Sequence, residues 1–187
     1  MSALIVRGIF TVRQAELQWY YQEGASWLFP DLWEAYLAPI PPAERGDLIA
    51  AYRKRLVGTD PVAQLEAAKA WSLWEGQTIR LLPDAANKAK HAGDDYALAF
   101  ARIENHYFVH GGWLEEGQLI RDAHKLAGIP GVIVQGRYDV ATPAKTAWDL
   151  HRAWPEADFT LVDDAGHAFN EPGILSALLE ATDRFAG

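Results

Sequence analysis

The C-terminal part of the chain alternates strand patterns with helix patterns, and this alternation restricts the possible folds most strongly. A buried apolar run at 131–136 precedes a helical pattern over 142–154, a β-rich run over 158–162 and a final helical pattern over 172–185. Strands that alternate with helices in this way form a parallel sheet with right-handed crossovers. The tail therefore predicts an α/β protein whose functional residues lie in the loops after the strands.

The preceding residues predict one more strand and a large helical insertion. Residues 3–10 (ALIVRGIF) form a short apolar, β-branched run that indicates a buried strand. Residues 12–126 repeat apolar side chains at spacings of three and four, which is typical of amphipathic helices cut into pieces by Pro and Gly. We therefore expect residues 1–11 and 127–187 to form a sheet core and residues 12–126 to form a helical cap.

Three polar residues mark the predicted starts of helices. Asp31 and Asp60 each precede a helical run, and Thr142 precedes Pro143 at the start of the first tail helix. Asp and Thr side chains accept hydrogen bonds from the free N–H groups of a first helical turn, and Pro suits the first helical position. We expect Asp31, Asp60 and Thr142 to be N-caps.

Composition excludes several classes of function. The chain has 187 residues, half of them hydrophobic, which suits one globular protein and not a disordered one. A net charge of -8 disfavours nucleic acid and anionic membrane surfaces as partners. The chain contains no cysteine, so it has no disulfide, thiolate nucleophile or Cys-bound zinc. Without a signal peptide or an apolar run long enough to span a membrane, the expected location is the cytoplasm.

Two side chains with acid–base chemistry follow the two tail strands. Asp139 follows the first strand and His167 follows the second, with glycines nearby. In a parallel sheet both would emerge at the same edge. An Asp that accepts the Nδ1 proton of a His leaves Nε2 free to take a proton from a hydroxyl nucleophile. The order Asp then His matches the second half of the Ser, Asp, His order of α/β-hydrolases.

Further motifs extend from one end of the chain to the other. They are RGIF (7–10), YYQEGASWLFPD (20–31), AKAWSLWEG (68–76), ARIENHYF (101–108), IPGVIVQGRYDVATP (129–143), AWDLHRAWP (147–155) and GHAFNEPG (166–173). Together these motifs resemble the prolyl aminopeptidases, or proline iminopeptidases, serine hydrolases of the α/β-hydrolase fold that remove N-terminal proline from peptides. The resemblance implies a partial α/β-hydrolase core with three parallel strands and a large inserted helical cap.

The resemblance also implies roles for individual residues. By position, Asp139 orients the base and His167 is the general base and acid. Glu75 and Glu104 would face the protonated imino group of the substrate's first residue, since a cation in an apolar site needs anionic acceptors. The remaining implied substrate-binding residues are Arg7, Phe10, Tyr20 and Phe108. The resemblance implies no cofactor and no metal.

The nucleophile of the family is missing from this sequence. That nucleophile is a Ser in a Gly-x-Ser-x-Gly turn, and none of the four serines, Ser2, Ser26, Ser72 and Ser176, occupies such a motif. We therefore expect a truncated enzyme that is inactive until a complementing N-terminal half supplies the Ser. The apolar strand at 3–10 would lack a neighbour, and an unpaired strand edge favours self-association.

Two other functions stay open. The first is a non-catalytic module that binds peptide N-termini through Glu75 and Glu104. The second is a metal site at His106 and His110, because residues four apart share one face of a helix and Glu104 is near in sequence.

Overall fold

A three-stranded parallel sheet organises one part of the molecule. The computed structural model describes residues 3–186, so Met1, Ser2 and Gly187 of the predicted core lie outside the described residues. The strands are β1 (Leu4–Arg7), β2 (Gly131–Gly136) and β3 (Ala157–Val162), in the order β1-β2-β3. All six residues of β2 are buried, as a continuous apolar run in a central parallel strand requires. The predicted α/β fold class is confirmed.

Helices cover both faces of this sheet. The helices of the described residues are α1 (Gln14–Tyr21), α2 (Pro30–Leu37), α3 (Leu48–Leu56), α4 (Pro61–Thr78), α5 (Ala85–Ala92), α6 (Asp94–Val109), α7 (Gln118–Arg121), α8 (Ala144–Ala153) and α9 (Pro172–Phe185). On one face, Ile133 of β2 packs with Ala147 of α8 and with Trp154. On the other face, Val134 packs with Ile174 of α9. Successive β2 side chains therefore point to opposite helices.

The chain divides into two compact units. The sheet unit contains residues 3–11, 79–81 and 117–186, and the helical unit contains residues 12–78 and 82–116. The short segment 79–81 thus belongs with the sheet, although it follows directly after α4. None of the helices within residues 3–186 is long and apolar enough to cross a membrane.

Stacked aromatic rings fill the core of the helical unit. Tyr36 of α2 stacks on Tyr52 of α3, with ring centroids 4.8 Å apart. Trp71 of α4 meets Tyr52 edge-on at 5.1 Å, and Trp74 meets Trp33 at 5.0 Å. Flat rings in edge and stacked contacts give such pairs an attraction beyond their buried area. Most of the aromatic residues of α2 to α4 therefore pack helices together.

The first strand is shorter than the sequence predicts. The apolar run covers 3–10, but β1 ends at Arg7 because Gly8 has a φ of +52°, which turns the chain out of the strand. The strand over 158–162 begins one residue earlier, at Ala157. Helix α5 lies within the predicted helical insertion, although Ala supplies most of the apolar residues of its sequence AANKAKHA. Its start is set by Asp84, whose side chain accepts from the N–H groups of Ala86 and Asn87.

The predicted helix caps divide into one correct and two wrong assignments. Asp60 accepts a hydrogen bond from the Val62 N–H at 2.9 Å, so it caps α4 as predicted. Asp31 lies inside the first turn of α2, which begins at Pro30 after Phe29. Thr142 lies before Pro143, which is itself the N-cap of α8. The Thr142 prediction is wrong because its hydroxyl binds another loop residue, Asp139.

Candidate active site

Asp139 and His167 form a hydrogen-bonded pair at the carboxyl end of the sheet. Nδ1 of His167 lies 2.9 Å from Oδ2 of Asp139. The Asp139 side chain is fully buried, whereas 23% of the His167 side chain is exposed. An ionised carboxylate at Nδ1 fixes the tautomer with the proton on that nitrogen and leaves Nε2 for proton transfer. The pair therefore has the geometry of an oriented general base.

Two glycines let the loops approach closely enough to form this pair. A Cβ at Gly136, the last residue of β2, would lie 2.0 Å from the carbonyl oxygen of Gly166 in the loop that carries His167. A Cβ at Gly8 would lie 2.8 Å from Cε1 of the His167 ring. Contacts this short exclude any side chain at either position unless the loops move. The absent side chains thus bring His167 over the end of β2.

Asp139 has a full set of hydrogen-bond donors. Its Oδ1 accepts from the Thr142 N–H at 2.8 Å. Its Oδ2 accepts from the Thr142 hydroxyl at 2.9 Å and from the Gln135 amide at 2.9 Å, in addition to His167. Donors to a buried carboxylate stabilise its charged form. These bonds hold the Asp139 carboxyl group in one orientation beside the imidazole.

The backbone of the His167 loop is anchored from three directions. Nη1 of Arg7 donates to the His167 carbonyl at 2.9 Å, and the His167 N–H donates to the Ile79 carbonyl at 2.9 Å. The buried carboxylate of Glu171 accepts from the Gly166 N–H and from the Leu81 N–H. Arg7, which the resemblance implies to be a substrate-binding residue, contacts the backbone of this loop. These bonds limit the movement of the base.

The two predicted carboxylates, Glu75 of α4 and Glu104 of α6, lie in the helical unit. The Tyr21 hydroxyl donates to Oε1 of Glu75, which is buried. Nε1 of Trp71 donates to Oε2 of Glu104 at 2.7 Å. The rings of Tyr21 and Trp71 are stacked, with centroids 4.6 Å apart. The stacked rings therefore bring the two carboxylates into one cluster.

Burial changes the ionisation of this cluster. Loss of hydration raises the pKa of Glu104 to about 7, while hydrogen bonds from Trp71 and Tyr21 oppose the rise. Burial, and then the negative charges of Glu104 and Glu75, raise the pKa of Tyr21, so its hydroxyl stays protonated. Near neutral pH the cluster can therefore hold or release a proton. An ionised carboxylate in these apolar surroundings favours a cationic group beside it.

Aromatic side chains surround these carboxylates. The centroid of the Phe108 ring lies 5.1 Å from that of the Tyr21 ring. The Tyr20 ring contacts the Tyr21 ring edge-on, with centroids 4.9 Å apart. The Tyr20 hydroxyl is hydrogen-bonded to Thr78. Tyr20 and Phe108 thus belong to the same unit as Glu75 and Glu104. Phe10 is half-buried in the sheet unit, and its assignment to a substrate pocket stays a prediction.

Two further pairs of polar residues lie in the helical unit. The rings of His106 and His110 are 4.8 Å apart, but the described residues contain no group of three His, Asp or Glu side chains able to hold a metal. Oγ of Ser72 lies 3.0 Å from Nδ1 of His91. Both residues are buried, and burial lowers the pKa of His91. This Ser–His pair therefore lacks the access to substrate that a nucleophile needs.

Several residues that contact the pair, the carboxylates or the backbone of the His167 loop had no predicted role in the site. They are Gly8, Tyr21, Trp71, Gln135, Thr142 and Glu171. One of them carries a visible signal, because Gln135 is the only polar side chain in the apolar run of β2. The others carry none, since a Gly in a loop or an aromatic residue in a helix has many ordinary explanations.

Comparison with known proteins shows a consistent similarity. The chain is 57% identical over 185 residues to a protein named "Proline iminopeptidase" from Xylella fastidiosa (strain Temecula1 / ATCC 700964), covering 98% of the chain and 59% of that protein. It is 56% identical over 183 residues to a "Probable proline iminopeptidase" from Leptolyngbya boryana, covering 97% of the chain and 57% of that protein. A "Proline iminopeptidase" from Arabidopsis thaliana is 47% identical over 186 residues, 98% of the chain and 49% of that protein.

The similarity extends over nearly the whole chain but over only part of each relative. The chain spans between about half and three fifths of the length of these curated relatives. No protein-family model matches the chain.

Proposed function

Because the chain is homologous to the proline iminopeptidases, we propose that it supplies the acid–base pair and the amino-group site of a prolyl aminopeptidase. The proposal rests above all on the hydrogen bond of 2.9 Å between His167 and the buried carboxylate of Asp139. A His held in this way is suited to accept and return one proton per bond-breaking step. The substrate is a peptide with a free N-terminal proline.

In this proposal the reaction needs a hydroxyl from another segment. A serine hydroxyl in a Gly-x-Ser-x-Gly turn, supplied by a complementing chain, attacks the carbonyl carbon of the prolyl residue and gives its proton to Nε2 of His167. His167 then gives that proton to the leaving amine, and the prolyl group is left as an ester on the serine. Water, deprotonated by His167, hydrolyses the ester and releases proline. Asp139 stays ionised throughout and stabilises the imidazolium.

The carboxylate cluster would select for a free N-terminus. The secondary ammonium of an N-terminal proline carries one positive charge, and Glu75 and Glu104 accept its two N–H bonds. The rings of Tyr20 and Phe108 supply apolar contacts for the flat pyrrolidine ring. A peptide whose first nitrogen is acylated carries no positive charge to offset the two buried carboxylates, so it binds poorly. This selection for a charged N-terminus would make the enzyme an aminopeptidase and not an endopeptidase.

Complementation tests the proposed activity. Release of a chromogenic amine from an N-terminal prolyl amide is measured for the chain alone and with the Ser-bearing N-terminal segment of a homologous proline iminopeptidase added in trans. We expect no turnover by the chain alone and turnover by the mixture, and His167→Ala should abolish it. If the mixture with an intact His167 binds the prolyl amide but never turns it over, the activity is contradicted and the peptide N-terminus binding function is favoured.

Substitution of the carboxylates tests the proposed specificity. In the complemented enzyme, Glu75→Gln or Glu104→Gln should lower kcat/KM for the prolyl amide by one to two decades, because a charged hydrogen bond is worth roughly 1.5 to 3 kcal/mol. A small ester without an amino group should be hydrolysed almost as before. If the ester reaction falls as much as the prolyl reaction, the carboxylates are structural and the specificity proposal is wrong.

A further inference from the structure

Gln135 is a buried amide in a strand that is otherwise apolar. It lies in β2, which has the sequence GVIVQG, and its side chain is fully buried. A buried amide destabilises a protein unless its donors and its acceptor are all hydrogen-bonded. An apolar side chain of the same size would fill this position without that requirement. The groups that Gln135 contacts should therefore account for an amide at this position.

The hydrogen bonds of Gln135 connect three segments of the sheet unit. Its Oε1 accepts from the N–H of Ile9, 126 residues away, at 3.2 Å. Its Nε2 donates to Oδ2 of Asp139 at 2.9 Å and to the carbonyl of Thr142 at 3.0 Å. Strand β2 is thereby joined to the chain after β1 and to the loop that carries Asp139.

Both connected segments lie against His167. Asp139 holds the ring at Nδ1, and Gly8, which precedes the bonded Ile9, lies against Cε1. Through its two ends, Gln135 is therefore connected to two of the groups that lie against the imidazole. We propose that Gln135 is a positioning residue, which orients the Asp139 carboxylate and keeps the His167 proton on Nδ1. This inference rests on the proposed function, in which Asp139 and His167 are the acid–base pair.

The physical reason lies at one oxygen atom. Oδ2 of Asp139 accepts from His167, Gln135 and Thr142, and Gln135 is the only one of these donors that belongs to a strand. Without the amide, Oδ2 is aligned only by groups on loops. The Thr142 hydroxyl, 3.1 Å from Nδ1 of His167, then competes with Asp139 for the ring. The preference for a proton on Nδ1 should weaken.

Nitrogen-15 NMR of the imidazole rings tests this without any substrate. The chain is compared with Gln135→Met, which keeps the volume and removes the amide, and with Ile133→Val, a change in the same buried strand at a side chain that packs with Ala147 and Trp154. At a pH where the ring is neutral, the unmodified chain and Ile133→Val should carry the His167 proton on Nδ1. In Gln135→Met this tautomer should lose its dominance, and the Nδ1 proton should exchange with water at least about tenfold faster.

A purely structural role predicts a different result. If Gln135→Met lowers the melting temperature but leaves the tautomer and the exchange rate unchanged, the inference is overturned. Should Gln135→Met fail to fold, the unmodified chain still provides a test, because the side-chain amide signals of Gln135 should shift as the His167 ring becomes protonated. Amide signals that stay constant through that change also overturn it. All these readouts are independent of prolyl turnover, so a failure of the proposed activity is recognised separately.

Discussion

At the scale of single residues, absent side chains and buried polar side chains decide the geometry of the Asp139–His167 pair. Gly136 and Gly8 allow approaches that a methyl group would block, with hypothetical Cβ atoms 2.0 Å and 2.8 Å from the His167 loop. Asp139 is held by donors that leave it no freedom to rotate. In the helical unit, burial raises the pKa of Glu104 to about 7. The Glu104 carboxyl group therefore gains a proton near neutral pH.

The raised pKa of Glu104 predicts a stability that falls as pH rises. The folded protein retains the Glu104 proton between its ordinary pKa of 4.5 and about 7, where the unfolded chain has lost it. The resulting stabilisation is complete below pH 4.5 and disappears as pH rises through 7, a change of about 3 kcal/mol. Glu104→Gln should remove this slope in urea unfolding between pH 5 and pH 8.

The exposed Glu66 on α4 provides a matched control. Glu66→Gln should keep the slope of the unmodified chain. A slope that survives in Glu104→Gln would show that another group carries the titration.

The serines of the chain should not react as nucleophiles. A fluorophosphonate probe requires an exposed, activated hydroxyl, and Ser72 is buried against His91, while Ser176 donates to Glu180 at 3.0 Å. We expect no covalent labelling of the folded chain by mass spectrometry. Labelling of Ser26, Ser72 or Ser176 that disappears on denaturation would contradict this, and a complete proline iminopeptidase treated in parallel is the positive control.

At the scale of elements, short polar contacts set the ends of helices that apolar patterns leave uncertain. Asp60 and Asp84 accept hydrogen bonds at the starts of α4 and α5, and both lie where the chain leaves a Gly- or Pro-containing segment. Asp31 is the same residue type but is the second residue of α2, because Pro30 already occupies the first helical position. Residue type alone therefore does not identify a cap.

Removal of the Asp60 cap should destabilise α4. Asp60→Ala leaves the Val62 N–H without its acceptor and should lower the unfolding free energy by about 1 kcal/mol. Asp31→Ala is the matched control, since it removes an exposed Asp from a first turn without removing a cap, and should cost less. Thermal unfolding followed by circular dichroism measures both. Equal losses would mean that charge near the helix start, and not the capping bond, stabilises these helices.

At the scale of the whole molecule, β1 is an edge strand of the described sheet, whose order is β1-β2-β3. Leu4 and Gly8 donate their N–H groups toward β2. Alternate residues of a strand donate to the same side, so the N–H groups of Ile5 and Arg7 point away from β2. A strand edge of this kind is a template for pairing with another strand. Either a complementing segment or a second copy of the chain can use it.

We therefore expect the purified chain to self-associate through β1. Sedimentation equilibrium should show oligomers, and addition of the complementing segment should reduce them. Ile5→Pro removes the isoleucine side chain and the N–H group that faces away from β2. Ile5→Ala also removes the isoleucine side chain but keeps that N–H group. Only Ile5→Pro should shift the protein toward monomer. A compact monomer with a sharp thermal transition in the unmodified chain would refute the prediction.

The sequence by itself determined the features that depend on neighbouring residues or on the order of elements. The alternation after residue 131 predicted parallel strands, and the positions of Asp139 and His167 after two such strands predicted that they would emerge together. The bounds of β2 and α9 also followed from local patterns, because an apolar run ending at Gly and a start at Pro172 are local signals.

Only the tertiary structure decided which distant groups meet. The residues near Gln135 in the sequence do not predict its bond to Ile9, 126 residues away. Those near Tyr21 do not predict its bond to Glu75. The local sequence predicts Thr142 as a helix cap, but in the folded chain its hydroxyl donates to Asp139. Apolar residues spaced three or four apart indicate a helix, and residues spaced two apart indicate a strand, so each pattern describes a single element. Hydrogen bonds between elements depend on how those elements pack, and packing is a property of the folded chain.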